Sequence, residues 1–469
     1  MIPLSLAPVH SGDRVDADAI RTALRRAVKR AMQSMNGITQ VRSVSVDVPN
    51  AINPLAWGAV QPHAPFVYWR NRSADVTYAA VGAARTWGGA RSKRNNTLPS
   101  ATVRNLERWL ELLPPEVRIW GGARFDPTAQ REDAWEEFGS WNLMLPRFTL
   151  HREGGTSRLF TTLVAPRDTQ HQEAVLQQVD ALRFPHEART SATAHRVARA
   201  DRPTRDEWMR QVQAAVDAIA DDRLRKVVLA RAVDLTFDVP LAPWALLHRL
   251  QEETPRCTAF GWQPARSGPA FIGATPERLF QMHGATLRTE AIAGTRPRGR
   301  TPEEDAMLRD ELLNSSKDRR EHAFVQEALT EALAPLAETV TAPDAPEELQ
   351  LERKRHLRSE ITATLRDSTT AVDVLNALHP TPAVGGTPTR SARAFIREHE
   401  AFDRGWYAGP VGWMSRDAAE VLVAIRSALV NDDTLTLYSG AGIVEGSDPA
   451  AEWDEIENKL ADFKAALER

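Results

Sequence analysis

A chain of 469 residues with 59 Lys and Arg against 62 Asp and Glu carries a formal net charge of −3. That balance excludes the strong basic footprint expected of a nucleic-acid or membrane-surface binder. Hydrophobic residues at 42% and charged residues at 26% are those of a folded chain with a large core, so disordered and fibrous classes are out. The lone cysteine, Cys257, can form neither an intramolecular disulfide nor a thiolate metal site, and a reducing cytoplasm is the simplest compartment.

At the start of the chain Ile20, Leu24, Val28 and Ala31 recur at helical spacing beside Arg21, Arg25, Arg26, Lys29 and Arg30. A basic amphipathic helix can be a transit peptide or lie on a membrane. Transit peptides are poor in acids, and Asp13, Asp16 and Asp18 stand here, so the segment reads as a plain surface helix. No stretch approaches the ~18 uninterrupted apolar residues of a transmembrane helix. Residues 36–165 read as short β-like runs, such as Phe66-Val67-Tyr68-Trp69 and Val76-Thr77-Tyr78, split by Gly and Pro. Residues 166–203 turn polar, with Ala174, Val175, Val179 and Leu182 at helical spacing, and read as a helix and connector. Thr204-Arg205-Asp206-Glu207 is a capping box opening a helix with an apolar face of Trp208, Val212, Val216 and Ile219.

Beyond that helix the texture changes, and helices alternate with strands. The runs starting at Lys226, at Ala270 and at Val421 read as buried strands, and 302–333 and 452–467 each read as one helix. The segment from His379 to Pro388, with three prolines and two glycines, breaks both helix and sheet ladders. No repeat of 20–50 residues and no low-complexity tract is present.

Two carboxylate pairs, Asp318 with Glu321 and Glu452 with Glu455, sit at i, i+3, which puts both members on one helix face. Two such faces meeting would make an all-oxygen site for a hard cation such as Mg²⁺. The competing structural reading is an exposed i, i+4 pair of Glu455 with Lys459, worth about 0.3–0.5 kcal/mol, and spacing alone favours it. Zinc motifs, nucleotide-phosphate loops and a nucleophile elbow are all missing. Lys226, flanked by Val227 and Val228, is either a base in an apolar setting or a strand-edge lysine facing water. Glu277 after Thr275-Pro276 and the glycine turn from Ala291 to Gly299 are, taken singly, more often structural than catalytic.

In their order over residues 204–465, however, these motifs resemble the chorismate-utilising enzymes, a family that includes isochorismate, salicylate and anthranilate synthases. The resemblance rests on Lys226-Val-Val-Leu-Ala-Arg231, Gly273-Ala-Thr-Pro-Glu-Arg-Leu279, Ala293-Gly-Thr-Arg-Pro-Arg298, Lys317-Asp-Arg-Arg-Glu-His322 and His356-Leu-Arg358. It continues through Leu378-His-Pro-Thr-Pro-Ala383, Gly405-Trp-Tyr-Ala-Gly-Pro-Val-Gly-Trp413, Ala424-Ile-Arg426, Tyr438-Ser-Gly-Ala-Gly-Ile-Val444 and Glu452-Trp-Asp-Glu455. Phe66-Val-Tyr-Trp69 and Trp120-Gly-Gly-Ala-Arg-Phe-Asp-Pro127 carry it, less specifically, into the N-terminal part.

Within the family, members that add ammonia resemble one another in having Gln where this chain has Lys226, so a lysine there favours water as nucleophile. Ala293 stands where aminodeoxychorismate synthases can carry a lysine nucleophile, and the Leu-Leu-Glu-Ser type of sequence used by anthranilate synthases is missing. The resemblance thus implies an isochorismate synthase, an isomerase of chorismate for menaquinone or siderophore synthesis, with salicylate synthase as its neighbour. It needs no glutamine amidotransferase partner. In the implied mechanism Lys226 deprotonates water attacking C2 of the ring, and Glu277 protonates the departing C4 hydroxyl. Glu321 and Glu455 hold Mg²⁺, with Asp318 and Glu452 beside them; this reading reverses the one that spacing favours. Arg426 and Lys459 bind carboxylate, Gly294, Thr295 and Gly440 supply main-chain and hydroxyl contacts, and His356 lies near the reacting end. The implied fold is α+β, two layered antiparallel β-sheets with helices outside and the site in the cleft. Residues 1–203 would contribute to the same sheets as the 204–469 core, making one domain. A lyase that goes on to eliminate pyruvate would depend on pocket shape around Tyr407 and Ile425, and a non-catalytic descendant would not need Lys226, Glu277, Glu321 and Glu455 together.

Overall fold

The computed structural model describes residues 2–3, 15–89, 100–129, 132–185, 193–352 and 354–468. Every strand pairing in its main sheet is antiparallel, and the pairings form two arms that do not close on each other. The first arm runs through Gln40–Asp47, Thr156–Ala165, Trp141–Glu153, Val76–Gly89, Phe66–Arg70, Thr258–Gln263, Ala270–Thr275, Ser427–Asn431, Thr434–Ile443, Lys226–Phe237 and the edge strand Arg196–Arg202. The second runs through Ile119–Ala123, Pro410–Met414, Ala418–Val423, Arg278–His283, Thr286–Pro297 and Lys354–Leu365, with Ala337–Thr341 and Glu347–Gln350 along its outer edge. Trp141–Glu153 joins them, pairing Ile119–Ala123 along its first half and Thr156–Ala165 along its second. Strands from before residue 166 therefore hydrogen-bond directly to strands from after residue 257 in both arms.

Burial explains which runs become central strands. In Lys226–Phe237 nearly every residue on both faces is buried, as its continuous apolar run requires. Five tryptophans, Trp57, Trp120, Trp135, Trp208 and Trp406, are among the largest fully buried side chains. Helices pack outside: Ser316–Leu333 lies on Thr286–Pro297 and Lys354–Leu365, and Pro449–Lys459 lies on Thr434–Ile443. Thr204 caps Arg205–Ala220, its N–H donating to Glu207 at 2.8 Å, and Trp208 from that helix donates to the Pro449 carbonyl at 3.2 Å. Among the described residues no helix is long and apolar enough to cross a membrane.

Several sequence expectations are corrected. Phe66-Val67-Tyr68-Trp69 is a short strand as read, Phe66–Arg70, whereas Val76-Thr77-Tyr78 opens a long one, Val76–Gly89. The connector before residue 204 contains the strand Arg196–Arg202, which has no apolar alternation because it is a largely exposed edge. The helix read over 302–333 breaks at Ser315, whose hydroxyl accepts from the Asp318 N–H at 3.2 Å and starts a new helix there. The terminal helix breaks likewise at Leu460. The strand read at Val421 ends at Val423, before Ala424-Ile425. The basic N-terminal segment is a helix, Ala17–Gln33, with Asp16 as its cap and Ile20, Leu24 and Val28 buried together with Met32; Asp13 lies outside the described residues.

Trp208 ties the capped helix to the start of Pro449–Lys459. Trp208→Ala should cost about 3–5 kcal/mol, and Trp208→Phe, which keeps a ring but loses the hydrogen bond, clearly less. Calorimetric midpoints in that order are expected, and equal midpoints would contradict the packing role.

Candidate active site

A cavity of about 210 Å³ opens where the two arms face each other, and all of the sequence-predicted site residues line it: Lys226, Glu277, Gly294, Thr295, Asp318, Glu321, His356, Arg426, Gly440, Glu452, Glu455 and Lys459. Strands of the first arm supply Lys226 and Gly440, and strands of the second supply Gly294, Thr295 and His356. The first turns of Ser316–Leu333 and the body of Pro449–Lys459 supply the four helical carboxylates.

Lys226 is 1% exposed, and its Nζ donates to Glu321 Oε1 at 2.8 Å. The approach depends on Gly442 in the neighbouring strand, where a Cβ would stand 2.8 Å from Glu321 Oε1 and 3.0 Å from Lys226 Cε. Glu277 sits in the turn between Ala270–Thr275 and Arg278–His283. Its N–H donates to Thr275 Oγ1 at 3.2 Å, and that hydroxyl donates to the Val423 carbonyl at 2.9 Å. Burial pushes the Glu277 carboxyl up to about 7 against the pull of the Lys226 charge. A group that exchanges its proton near neutrality thus shares a buried cavity with an amine.

At the second-arm wall the strand bulges between Ala293 and Thr295, and Gly294 takes φ of +69° beside Asp318. The bulge turns the Gly294 carbonyl to His356 Nδ1 at 3.0 Å, with Thr295 Oγ1 3.1 Å from the same nitrogen. A carbonyl only accepts, so Nδ1 carries the proton and Nε2 accepts from Arg426 Nη2 at 3.0 Å. Burial and the Arg426 charge hold His356 well below its ordinary value, so the ring is neutral and orients the guanidinium. Lys459 Nζ donates to the Gly440 carbonyl at 2.9 Å.

The four helical carboxylates face cations. Glu321 meets Lys226, Glu455 meets Lys459 at 2.6 Å, Asp318 meets Arg296 at 2.8 Å and Glu452 lies 3.7 Å from Lys317. The i, i+4 pair read from spacing therefore forms, within the cavity wall. Burial pushes Glu455 up, but the Lys459 ammonium more than offsets this and leaves it below the ordinary carboxylate value. Burial and the neighbouring Glu455 push Glu452 up to about 7. Among the described residues no group of three or more His, Cys, Asp or Glu is already gathered as a metal cluster. The donor chemistry nevertheless fits a hard divalent cation: only oxygens are offered, and the like-charge crowding at Glu452 and Glu455 is what such a cation relieves.

Sequence reading did not single out Arg296 and Lys317, although both stand inside quoted motifs and both line the cavity. Their partners, Asp318 and Glu452, were the available signal. With Lys226, Lys459 and Arg426 they suit an anionic substrate, and the neutral-range carboxyl and amine suit proton transfer.

A family model described as chorismate binding enzyme matches residues 25–468. The salicylate biosynthesis isochorismate synthase of Pseudomonas aeruginosa is 35% identical over 469 aligned residues, covering 96% of this chain and 94% of its own. Isochorismate synthase MenF of Escherichia coli K12 is 32% identical over 461 residues, covering 96% of this chain and 99% of its own. The solved structure of MenF, the menaquinone-specific isochorismate synthase from Escherichia coli, superposes with a TM-score of 0.82 at 31% identity, covering 95% of this chain and 100% of that one.

Gly442→Ala should force the Lys226 and Glu321 side chains apart. A crystal structure of the variant is expected to show their contact lengthened beyond hydrogen-bond distance; an unchanged contact would contradict the steric reading.

Proposed function

Given that the chain belongs to the chorismate-binding enzymes, we propose that it is an isochorismate synthase, an Mg²⁺-dependent isomerase that converts chorismate reversibly to isochorismate. The observation that carries this reading is Lys226 and Glu277 buried in one cavity with the Glu277 carboxyl pushed up to about 7. Hydroxide is a poor leaving group, so loss of the C4 hydroxyl needs a carboxylic acid that keeps its proton near neutral pH. To act as base Lys226 must first give up the proton it holds in its ion pair with Glu321; the amine then takes a proton from water as the water oxygen bonds to C2. Both ring double bonds shift, from C1=C2 to C1=C6 and from C5=C6 to C4=C5, the C4–O bond breaks, and Glu277 gives its proton to the departing oxygen, which leaves as water. Atoms balance as an isomerisation, and water as nucleophile calls for no amidotransferase subunit.

Arg426, oriented by His356, and Lys459 bind one carboxylate of the substrate, with Gly440 and the Gly294-Thr295 bulge lining its approach. Glu321 and Glu455 would hold Mg²⁺, with Asp318 and Glu452 beside them, and the ion would neutralise the ring carboxylate. Glu321 meets Lys226 through Oε1, which leaves its second oxygen free to ligate a cation. We assign the product to menaquinone synthesis, supported by the likeness to the menaquinone-specific enzyme along the whole of its length.

Incubating the purified protein with chorismate and Mg²⁺ and separating the products tests this reading. A mixture of chorismate and isochorismate, lost in excess chelator, is expected. Salicylate with pyruvate would move the protein to the lyase branch, and turnover indifferent to chelator would remove the metal role.

Lys226→Gln keeps length and hydrogen-bonding capacity but removes the base. Isochorismate formation should fall by at least about 100-fold while the thermal midpoint and chorismate binding stay near those of the parent.

Because Glu277 works protonated opposite an uncharged Lys226, and its value of about 7 includes the pull of the Lys226 charge, kcat should fall on the alkaline side at a pH above about 7 and also on the acid side, where the amine is protonated. A rate that stays level from pH 6 to 9 would contradict its role as acid.

A further inference from the structure

Glu277 occupies the two-residue link between Ala270–Thr275 and Arg278–His283, and the direction of its side chain is set by the main chain of that link. One side is pinned by Thr275 and by the Val423 N–H, which donates to the Glu277 carbonyl at 3.2 Å. On the other side Arg72, from the hairpin between Phe66–Arg70 and Val76–Gly89, donates through Nη2 to the carbonyl of Pro276, the residue before Glu277. The guanidinium is itself held as a fork: Nη1 donates to Glu290 Oε1 at 3.0 Å and Nη2 to Glu290 Oε2 at 2.7 Å. The Glu290 side chain is only 1% exposed and also accepts from Arg358 Nη2 at 2.9 Å, with Arg278 Nη1 3.6 Å away. Its position is therefore fixed from two further strands. A planar guanidinium can serve both carboxylate oxygens and a carbonyl at once, and a lysine ammonium cannot hold that geometry.

We propose that Arg72, oriented by the buried Glu290, is a positioning residue for the proton donor Glu277, fixing the Pro276 carbonyl and with it the angle at which the carboxyl enters the cavity. The proposal rests on the reading of Glu277 as the acid. It also gives the N-terminal hairpin a part in the chemistry, although Arg72 is absent from the cavity lining. A second effect has the same source. The charges facing Glu277 are Lys226, Lys459 and Arg72, which favour its ionised form, and Glu290, which opposes it, with the Tyr407 hydroxyl also nearby.

The full-length wild type, Arg72→Lys and Glu290→Gln are to be compared for kcat and KM with chorismate, for the pH dependence of kcat, and for hydrogen–deuterium exchange over residues 274–279. For Arg72→Lys the expected result is a kcat at least about 10-fold lower with KM within about 2-fold, and faster exchange in the turn. For Glu290→Gln the alkaline fall of kcat should move to lower pH, because a negative charge that adds to burial in favouring protonated Glu277 is gone. Wild-type kcat and exchange in Arg72→Lys would overturn the proposal. So would a loss of activity accompanied only by a lower thermal midpoint, with the pH dependence and turn exchange unchanged. If the wild type makes no isochorismate, the functional reading fails, and exchange in the turn still decides whether Arg72 holds it.

Discussion

Burying charge is costly unless each charge meets its opposite, and the cavity of this protein gathers many in one place, with Lys226, Glu277 and Glu452 buried. Lys226, Arg426 and Lys459 converge there with Glu277, Glu321, Glu452 and Glu455. The architecture distributes the two signs: strands and the turn after Ala424 deliver most of the cations, while two helices deliver the paired carboxylates from outside. Where the match is complete, as at Glu455 with Lys459, the carboxyl is held low. Where it is incomplete, as at Glu277 and Glu452, burial wins and the carboxyl moves to the neutral range. In the proposed reading the same imbalance suits one group to act as an acid and another to take a divalent cation.

Keeping so many charges in register demands rigid walls. Arg426 adopts φ of +48°, unusual for a residue with a side chain, and its carbonyl accepts from the Ala274 N–H at 3.1 Å. Gly294 supplies the bulge that brings the main chain to His356, and Ser315 starts the helix that aims Asp318 and Glu321 inward. None of these touches the reacting carbons in the proposed mechanism, yet each fixes a group that would.

Much of this was legible in the sequence because the relevant signals are local. Lys226 opens a continuous apolar run, and the carboxylate pairs have helical spacing. The capping box at Thr204 lies within four residues, and the ordered motifs carried the family. What stayed hidden depends on pairing distant in sequence or on breaks that spacing does not encode. The edge strand Arg196–Arg202 has too little buried surface to show alternation. Ser315 and Leu460 interrupt patterns that remain helical on either side. Arg72 and Glu290 are 218 residues apart, so no motif could join them. Spacing also left Glu455 ambiguous, and the structure shows why: its pair with Lys459 forms, and it forms inside the cavity.

The central claim is that an amine and a neutral-range carboxylic acid in one cavity add water at one ring carbon and expel hydroxyl from another. Turnover of chorismate in water enriched in ¹⁸O tests it most directly, read by mass spectrometry of isochorismate early in the reaction. One solvent oxygen in each new isochorismate molecule, at C2, is the predicted result. Isochorismate formed without label would mean that the hydroxyl migrates within the substrate, and the roles given to Lys226 and Glu277 would be wrong.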